Sequence, residues 1–223
     1  MNYLELINLT LQELNFKPVS SFSALVKPDH QKIATIVSRV NDILLDSVDW
    51  EFMLREIVVD VEPGQDRVRI PCEMKIKHLY LEDRELCYTS ECERFLGGKG
   101  RGGYYSIFND HILVAPEDEP RKMAFVFITR NHAKNAAGKE IPALVNADDV
   151  TLVPDEFAKT TIVFGACCQF KANPALPKYN YWLRSFTDAR AKMRSSCEYL
   201  VSRPPEILMS RWTVGLDFFN NVY

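Results

Sequence analysis

Thiols, imidazoles and paired carboxylates are the groups in this sequence that could do covalent or acid–base chemistry. Cys72, Cys87, Cys92, Cys167, Cys168 and Cys197 are the cysteines, and His78, His111 and His132 could in principle activate one of them as a nucleophile. No local signature joins a cysteine to a histidine, so a Cys–His enzyme is not expected. A zinc site would bring its ligands in tight pairs, typically two Cys-x-x-Cys elements. Here four residues separate Cys87 from Cys92, with Cys72 and His78 upstream, and no Cys-x-x-Cys occurs. Free, largely buried thiols in a reducing compartment are the expectation.

Carboxylates cluster at Glu82-Asp83, Glu117-Asp118-Glu119 and Asp148-Asp149. Each run falls in sequence that reads as loop. Acid–base work needs burial or a like-charged neighbour to shift a carboxyl, and loop acids are expected to be solvated. Gly97–Gly103 reads GGKGRGG. A phosphate loop needs Gly-Lys followed by Ser or Thr, whereas Gly98-Lys99 is followed by Gly100. No βαβ unit surrounds the loop, so a dinucleotide fingerprint fails too. What remains is a glycine tip bearing Lys99 and Arg101, which either touches a tail protein or passing DNA or is a solvated loop. No catalytic residue, cofactor site or metal site is nominated, and the chain does not read as an enzyme.

The segment from Glu206 to Tyr223 carries a different chemistry. Ile207, Leu208, Trp212, Phe218, Phe219 and Tyr223 stand in it without clear periodicity. Large apolar groups so placed need a groove, and Trp, Phe and Tyr are the usual anchors of a binding surface. Pro204-Pro205 projects the segment away from what precedes it. The segment either packs back on its own bundle or inserts into another chain, and a docking tail over 203–223 is the favoured expectation.

The elements that must carry these groups are legible in the hydrophobic period. Leu4, Ile7, Leu11 and Leu14 recur at helical spacing, and so do Ile33, Ile36, Val37, Val40, Leu44 and Val48. Phe157, Thr161, Phe164 and Cys168 mark a third helix, and Trp182, Phe186, Ala189, Met193 and Leu200 a fourth. Helices are expected over about 3–16, 29–52, 154–173 and 178–202. Asp29 is the expected N-cap of the second, Pro154 the first residue of the third, and Pro204-Pro205 the stop of the last.

A period of two rules the middle of the chain. Ile57, Val59 and Val61 lead through Pro63-Gly64-Gln65-Asp66 to Val68 and Ile70, which reads as a hairpin with one wet face. Strands are expected at 75–81 and 85–88, joined by Glu82-Asp83-Arg84, and at 104–108, 111–115 and 122–129. A short helical turn is expected at 91–96, and 131–150 reads as polar with little periodicity. The predicted class is α+β: a four-helix bundle with an inserted antiparallel β region, about 53–130, and an extended C-terminal tail.

Composition bounds the partners. Hydrophobic residues make up 47% of the 223 and charged residues 26%, as in a folded globular protein. Net charge is −3, without the basic excess of a dedicated DNA-binding domain. No leader or span of ~18 apolar residues is visible, so synthesis in a cytoplasm without a membrane anchor is expected.

The order of these features resembles the head-to-tail adaptors of short-tailed phages, also called tail tubular protein A or head completion proteins. Tyr3-Leu4-Glu5-Leu6-Ile7-Asn8 is similar to that family's first helix, and Asp49-Trp50-Glu51-Phe52 to its aromatic junction before a strand. Glu62-Pro63-Gly64-Gln65 with Arg69-Ile70-Pro71 resembles its hairpin, and Ile112 to Pro116 its Pro-terminated strand. Leu152-Val153-Pro154-Asp155-Glu156-Phe157, then Gly165-Ala166, resembles the start of its third helix. The likeness spans roughly 1–202, and departs from the family in the glycine-rich 97–103 loop and in the segment past Pro205.

The resemblance implies a virion protein at the head–tail interface, made in the host cytoplasm. It would form a homo-oligomeric ring, usually dodecameric, below the portal protein. The ring would continue the channel through which genomic DNA passes without sequence-specific binding. Tail tube, nozzle or fiber proteins are the implied partners, and no cofactor or catalytic residue is implied. With net charge negative, acidic or neutral side chains are expected to line the channel. The alternatives are another neck or tail-completion subunit (a stopper), or a small α+β enzyme.

Overall fold

A computed structural model describes residues 1–70, 75–91 and 102–199. The chain is mixed α+β, with four helices and several antiparallel sheets among the described residues. Helix α1 spans Tyr3–Glu13. Asn2 accepts from the Glu5 backbone while the Glu5 carboxylate takes the Asn2 N–H, a reciprocal box that satisfies two orphan donors. The helix stops short of the expected residue 16 because Asn15 turns left-handed at φ 62°, letting Phe16 N–H reach back to the Leu11 carbonyl.

Helix α2 spans Pro28–Asp46, with Lys27 at the cap, Pro28 inside the first turn and Asp29 after it. Asp29 is therefore a first-turn acid on the helix dipole and not the predicted N-cap. The predicted extension to residue 52 fails because three groups take over the last turn. Ser47 N–H, Ser47 Oγ and Trp50 Nε1 all donate to the Leu44 carbonyl.

Helix α3 covers 155–170 as an α segment Asp155–Ala158, a π turn Lys159–Val163 and a second α segment Phe164–Phe170. Pro154 caps it from outside rather than opening it. The extra residue of the π turn shifts the register. All of 161–167 is buried, so the helix lies inside the helical layer rather than showing one apolar stripe. Gly165 permits this: a Cβ there would sit 3.0 Å from Val40 Cγ1 and 3.1 Å from Phe186 Cε2. Helix α4 spans Pro177–Cys197 and buries Trp182, Ala189 and Met193. It ends where Glu198 turns extended and bridges Trp50, seven residues before the predicted proline stop would act.

A four-helix bundle is not supported. The core under the helices is closed by Trp50, Met53, Ile128, Ala133, Leu144 and Val153, which lie outside the helices, and α1 is only 11 residues long. The helices pack on one another around α3 and complete their core with strand ends and loops.

A second core lies between two sheets. One has the order β1-β8-β3-β4, from Leu54–Val61, Arg121–Ile128, Lys75–Leu81 and Arg84–Glu85. The other has the order β2-β7-β6-β5, from Arg67–Arg69, His111–Val114, Tyr104–Phe108 and Cys87–Tyr88. Pairing is antiparallel except between β5 and β6. The predicted β1–β2 hairpin is corrected here. The turn exists, with Gly64 at φ 75°, but β1 pairs with β8 and β2 with β7. The chain changes sheet at the turn, so Val61 and Val68 enter the same core from opposite sheets. Likewise only β4 returns on β3, while β5 crosses to the other sheet. The strands expected at 104–108 and 111–115 are β6 and β7, which pair antiparallel across Asn109-Asp110 with Asn109 at φ 55°.

The stretch 131–150 is less irregular than its composition suggests. β9 (Ala133–Lys134) pairs with β10 (Glu140–Ile141) and β11 (Val150–Thr151) in a small third sheet. Residues 146–151 also receive the N-terminus, through Tyr3 N–H to the Asp149 carbonyl at 2.8 Å. The predicted helical turn at 91–96 lies outside the described residues beyond Glu91.

Candidate functional site

The two layers meet where α4 ends, and this junction is the most elaborated polar region of the chain. Glu198 bridges Trp50, and Tyr199 N–H donates to the Asp49 carbonyl at 2.7 Å. Asp49 in turn receives Lys75 Nζ at 2.9 Å and Lys77 Nζ. Partial burial works to raise the Asp49 carboxyl, but the two lysines overcome it and hold it below its ordinary value. The Tyr199 hydroxyl meets His78 Nε2, and His78 Nδ1 meets Glu85. Lys77 also lies over the Tyr199 ring, 6.0 Å from its centroid. Residues 198 and 199 are thus tied to α2's end, to β3 and to β4 at once.

A groove of about 340 Å³ opens beside this point, between Asp46, Asp49, Lys75 and Arg130. Its carboxylates are already engaged: Asp49 by the lysines, Asp46 by His132 Nε2 at 3.1 Å. An apolar cleft of about 130 Å³ lies on the opposite side of α2, walled by Ile43, Leu183 and Phe186, with Arg190 at its rim.

His132 is the best-built titratable site. It is 8% exposed, its Nδ1 lies 2.9 Å from Asp42, and its carbonyl takes the Leu152 N–H and the Asn41 amide. Asn41, fully buried, also accepts from the Thr151 hydroxyl. Burial opposes charging of the imidazole, but the Asp42 hydrogen bond and the two carboxylate charges outweigh it, so it is raised above its ordinary value. A raised folded-state value stabilises the protonated form. That contribution is complete below the ordinary imidazole range and is lost as pH rises through the folded value. The melting temperature is therefore expected to be higher at pH 6 than at pH 8. His132→Gln is expected to flatten the difference in parallel melts. An equal slope in both proteins would reject His132 as its source.

Among the described residues the thiols and imidazoles are not brought together as a nucleophile and base. Burial pushes the Cys167 thiol up to about 12, and burial raises Cys168 and Cys197 as well, the reverse of what a thiolate nucleophile needs. Cys87 is exposed, and Cys72 and Cys92 lie outside the described residues. His78 and His132 point at carboxylates, and His111 lies 3.0 Å from Asp110. Among the described residues no group of three or more His, Cys, Asp or Glu could hold a metal ion.

The carboxylate runs serve turns. Glu82 Oε1 takes the Lys122 N–H, and Glu117 pairs with Arg121. Asp149 corrects the expectation of solvated loop acids. It is 1% exposed and accepts the Val145 and Asn146 N–H groups at 2.8 and 2.6 Å, organising its own loop.

Lys99 and Arg101, and the anchors Ile207, Leu208, Trp212, Phe218, Phe219 and Tyr223, lie outside the described residues. What sequence reasoning missed is the junction itself. Its partners come from four elements, and only Asp49-Trp50 carried a local signal. Among the described residues no helix is long and apolar enough to cross a membrane. No protein-family model matches the chain, and no curated protein matches it.

Proposed function

We propose that the chain is a structural subunit of a ring that joins a DNA portal to a tail and continues the DNA channel. The observation that carries this reading is the rigid origin of the apolar segment. Tyr199 is fastened to both layers, and within 24 further residues stand Trp212, Phe218, Phe219 and Tyr223. A large apolar segment delivered from a fixed point suits insertion into a groove on another chain. Ordering such a segment only at docking keeps free subunits apart until the portal is present. The sequence resemblance supports portal as that other chain, over tail tube in a stopper-like subunit. The ring contact would be head to tail, with closure set by the rotation between neighbours.

The test is reconstitution. Full-length chain and a version ending at Ser202 are mixed with portal rings and followed by sedimentation and negative-stain microscopy. Only the full chain is expected to cap the portal. Equal capping by both would remove the docking role of 203–223, and capping by neither would remove the portal as partner.

A further inference from the structure

The charge of this chain is unevenly spread, and α4 is where the imbalance lies. Lys178, Arg184, Arg190, Lys192 and Arg194 stand there against Asp188 alone, a net +4 over Pro177–Cys197 in a chain of net −3. The helix buries only the narrow stripe of Trp182, Ala189 and Met193, and all five basic residues are exposed. Arg184 is 87% exposed and its contact with Asp188 is long, at 3.9 Å. Arg190 and Lys192 have no carboxylate partner among the described residues, while Arg194 is held by Glu198.

Two halves of α4 differ in what surrounds the charge. Exposed large apolar side chains, Leu176, Tyr181 and Leu183, stop at Leu183. From Arg184 to Ser196 the exposed positions are four basic residues interleaved with Thr187, Asp188, Ala191, Ser195 and Ser196. Protein interfaces centre on apolar and aromatic groups, with Arg enriched beside them and Lys and Ser depleted. A surface of Arg, Lys and small hydroxyls, whose large apolar residues Phe186 and Met193 are half-buried and buried, fits phosphates instead. The stretch is about 20 Å long at the helical rise, matching several phosphates along one duplex strand.

We propose that the exposed face of α4 from Arg184 to Arg194 binds the phosphate backbone of duplex DNA without sequence preference. This deepens the ring reading and rests on it for the source of the DNA. It places α4 toward the channel and replaces, at this helix, the expectation of an acidic or neutral lining. A few weak contacts per subunit suit a ring that must steady DNA without stopping its passage, because the affinity is small and salt-labile.

The experiment is fluorescence anisotropy of the full chain with two unrelated duplexes of about 20 base pairs, across a salt series. With about three phosphates engaged, affinity is expected to fall about 50-fold between 50 and 200 mM salt, equally for both duplexes. The variant R184Q/R190Q/K192Q is expected to lose at least about tenfold in affinity at 50 mM salt and most of the salt dependence. K134Q/K139Q, on β9 and in the turn before β10, is expected to behave as wild type. Far-UV circular dichroism checks that all variants fold.

No binding by wild type, or undiminished binding by the triple variant, overturns the proposal. If wild type ignores DNA but self-associates, and the triple variant does not, the partner is an acidic protein surface and the proposal also falls. Portal capping is scored separately. A chain that caps portal without binding DNA sinks this inference alone, and one that binds DNA without capping sinks the adaptor reading alone.

Discussion

Trp50→Ala is expected to cost about 3–5 kcal/mol of folding stability, the usual range for deleting a buried tryptophan. Against a total of about 5–15 kcal/mol for a domain, that leaves the chain close to its unfolding threshold at room temperature. The residue is 1% exposed and its ring stacks on Phe52, with centroids 5.7 Å apart and planes within 17°. Its indole N–H donates to the Leu44 carbonyl at 3.0 Å, closing the end of α2, and its backbone bridges Glu198. Truncation therefore opens a cavity and withdraws a donor from a buried carbonyl. Trp50→Phe separates the two effects: most of the ring volume stays, and because Ser47 still donates to the Leu44 carbonyl, the loss of the indole donor alone is expected to cost about 0.5–1.5 kcal/mol. Urea denaturation of the three proteins measures both. A loss below about 1 kcal/mol in Trp50→Ala would mean that the two layers are not joined through this residue.

How far the sequence disclosed this molecule follows from the range of its interactions. Wherever a run of residues buries its own stripe, the period is visible. Ile33 to Leu44 in α2 and Trp182 to Met193 in α4 were legible for that reason, as were β6 and β7, which meet across a two-residue turn. Boundaries were less so, because they are set by partners distant in sequence or by backbone geometry. Asn15 ends α1 through one left-handed residue, and Glu198 ends α4 by pairing with Trp50, 148 positions away. Strand partners were misread where the turn looked local. Pro63-Gly64 has the residues of a hairpin turn, yet Val61 and Val68 gain more by entering the core from opposite sheets. The π turn at Lys159–Val163 has no sequence mark, since its reward is the joint burial of 161–167 that follows from the shifted register.

The junction around Tyr199 was hidden for the same reason. Asp49, Lys77, His78 and Glu85 look like ordinary surface residues in a linear reading. Only the fold brings them to one tyrosine. Charge was misread by averaging: net −3 for the chain conceals +4 on one exposed helix. Asp149 shows the converse error, since an acid in a polar stretch can be the buried centre of its own loop.

The other large effect concerns the anchors themselves. Trp212→Ala combined with Phe218→Ala and Phe219→Ala is expected to abolish portal capping, because aromatic anchors at an interface commonly carry 2 kcal/mol or more each. Even with imperfect additivity, three such losses exceed about a thousandfold in affinity. The discriminating measurement is made on the free chain. If these side chains seat on another protein, removing them leaves the melting temperature and urea midpoint of the isolated subunit unchanged. If they cover the chain's own surface, such as the apolar cleft of Ile43, Leu183 and Phe186, both fall along with capping. A self-covering segment would shift the midpoint, since burying even one aromatic side chain is worth roughly 1.5–3 kcal/mol. Unchanged stability with lost capping therefore assigns the anchors to the partner. Lowered stability assigns them to the fold, and the fixed origin at Tyr199 would then serve to turn the segment back onto its own helices.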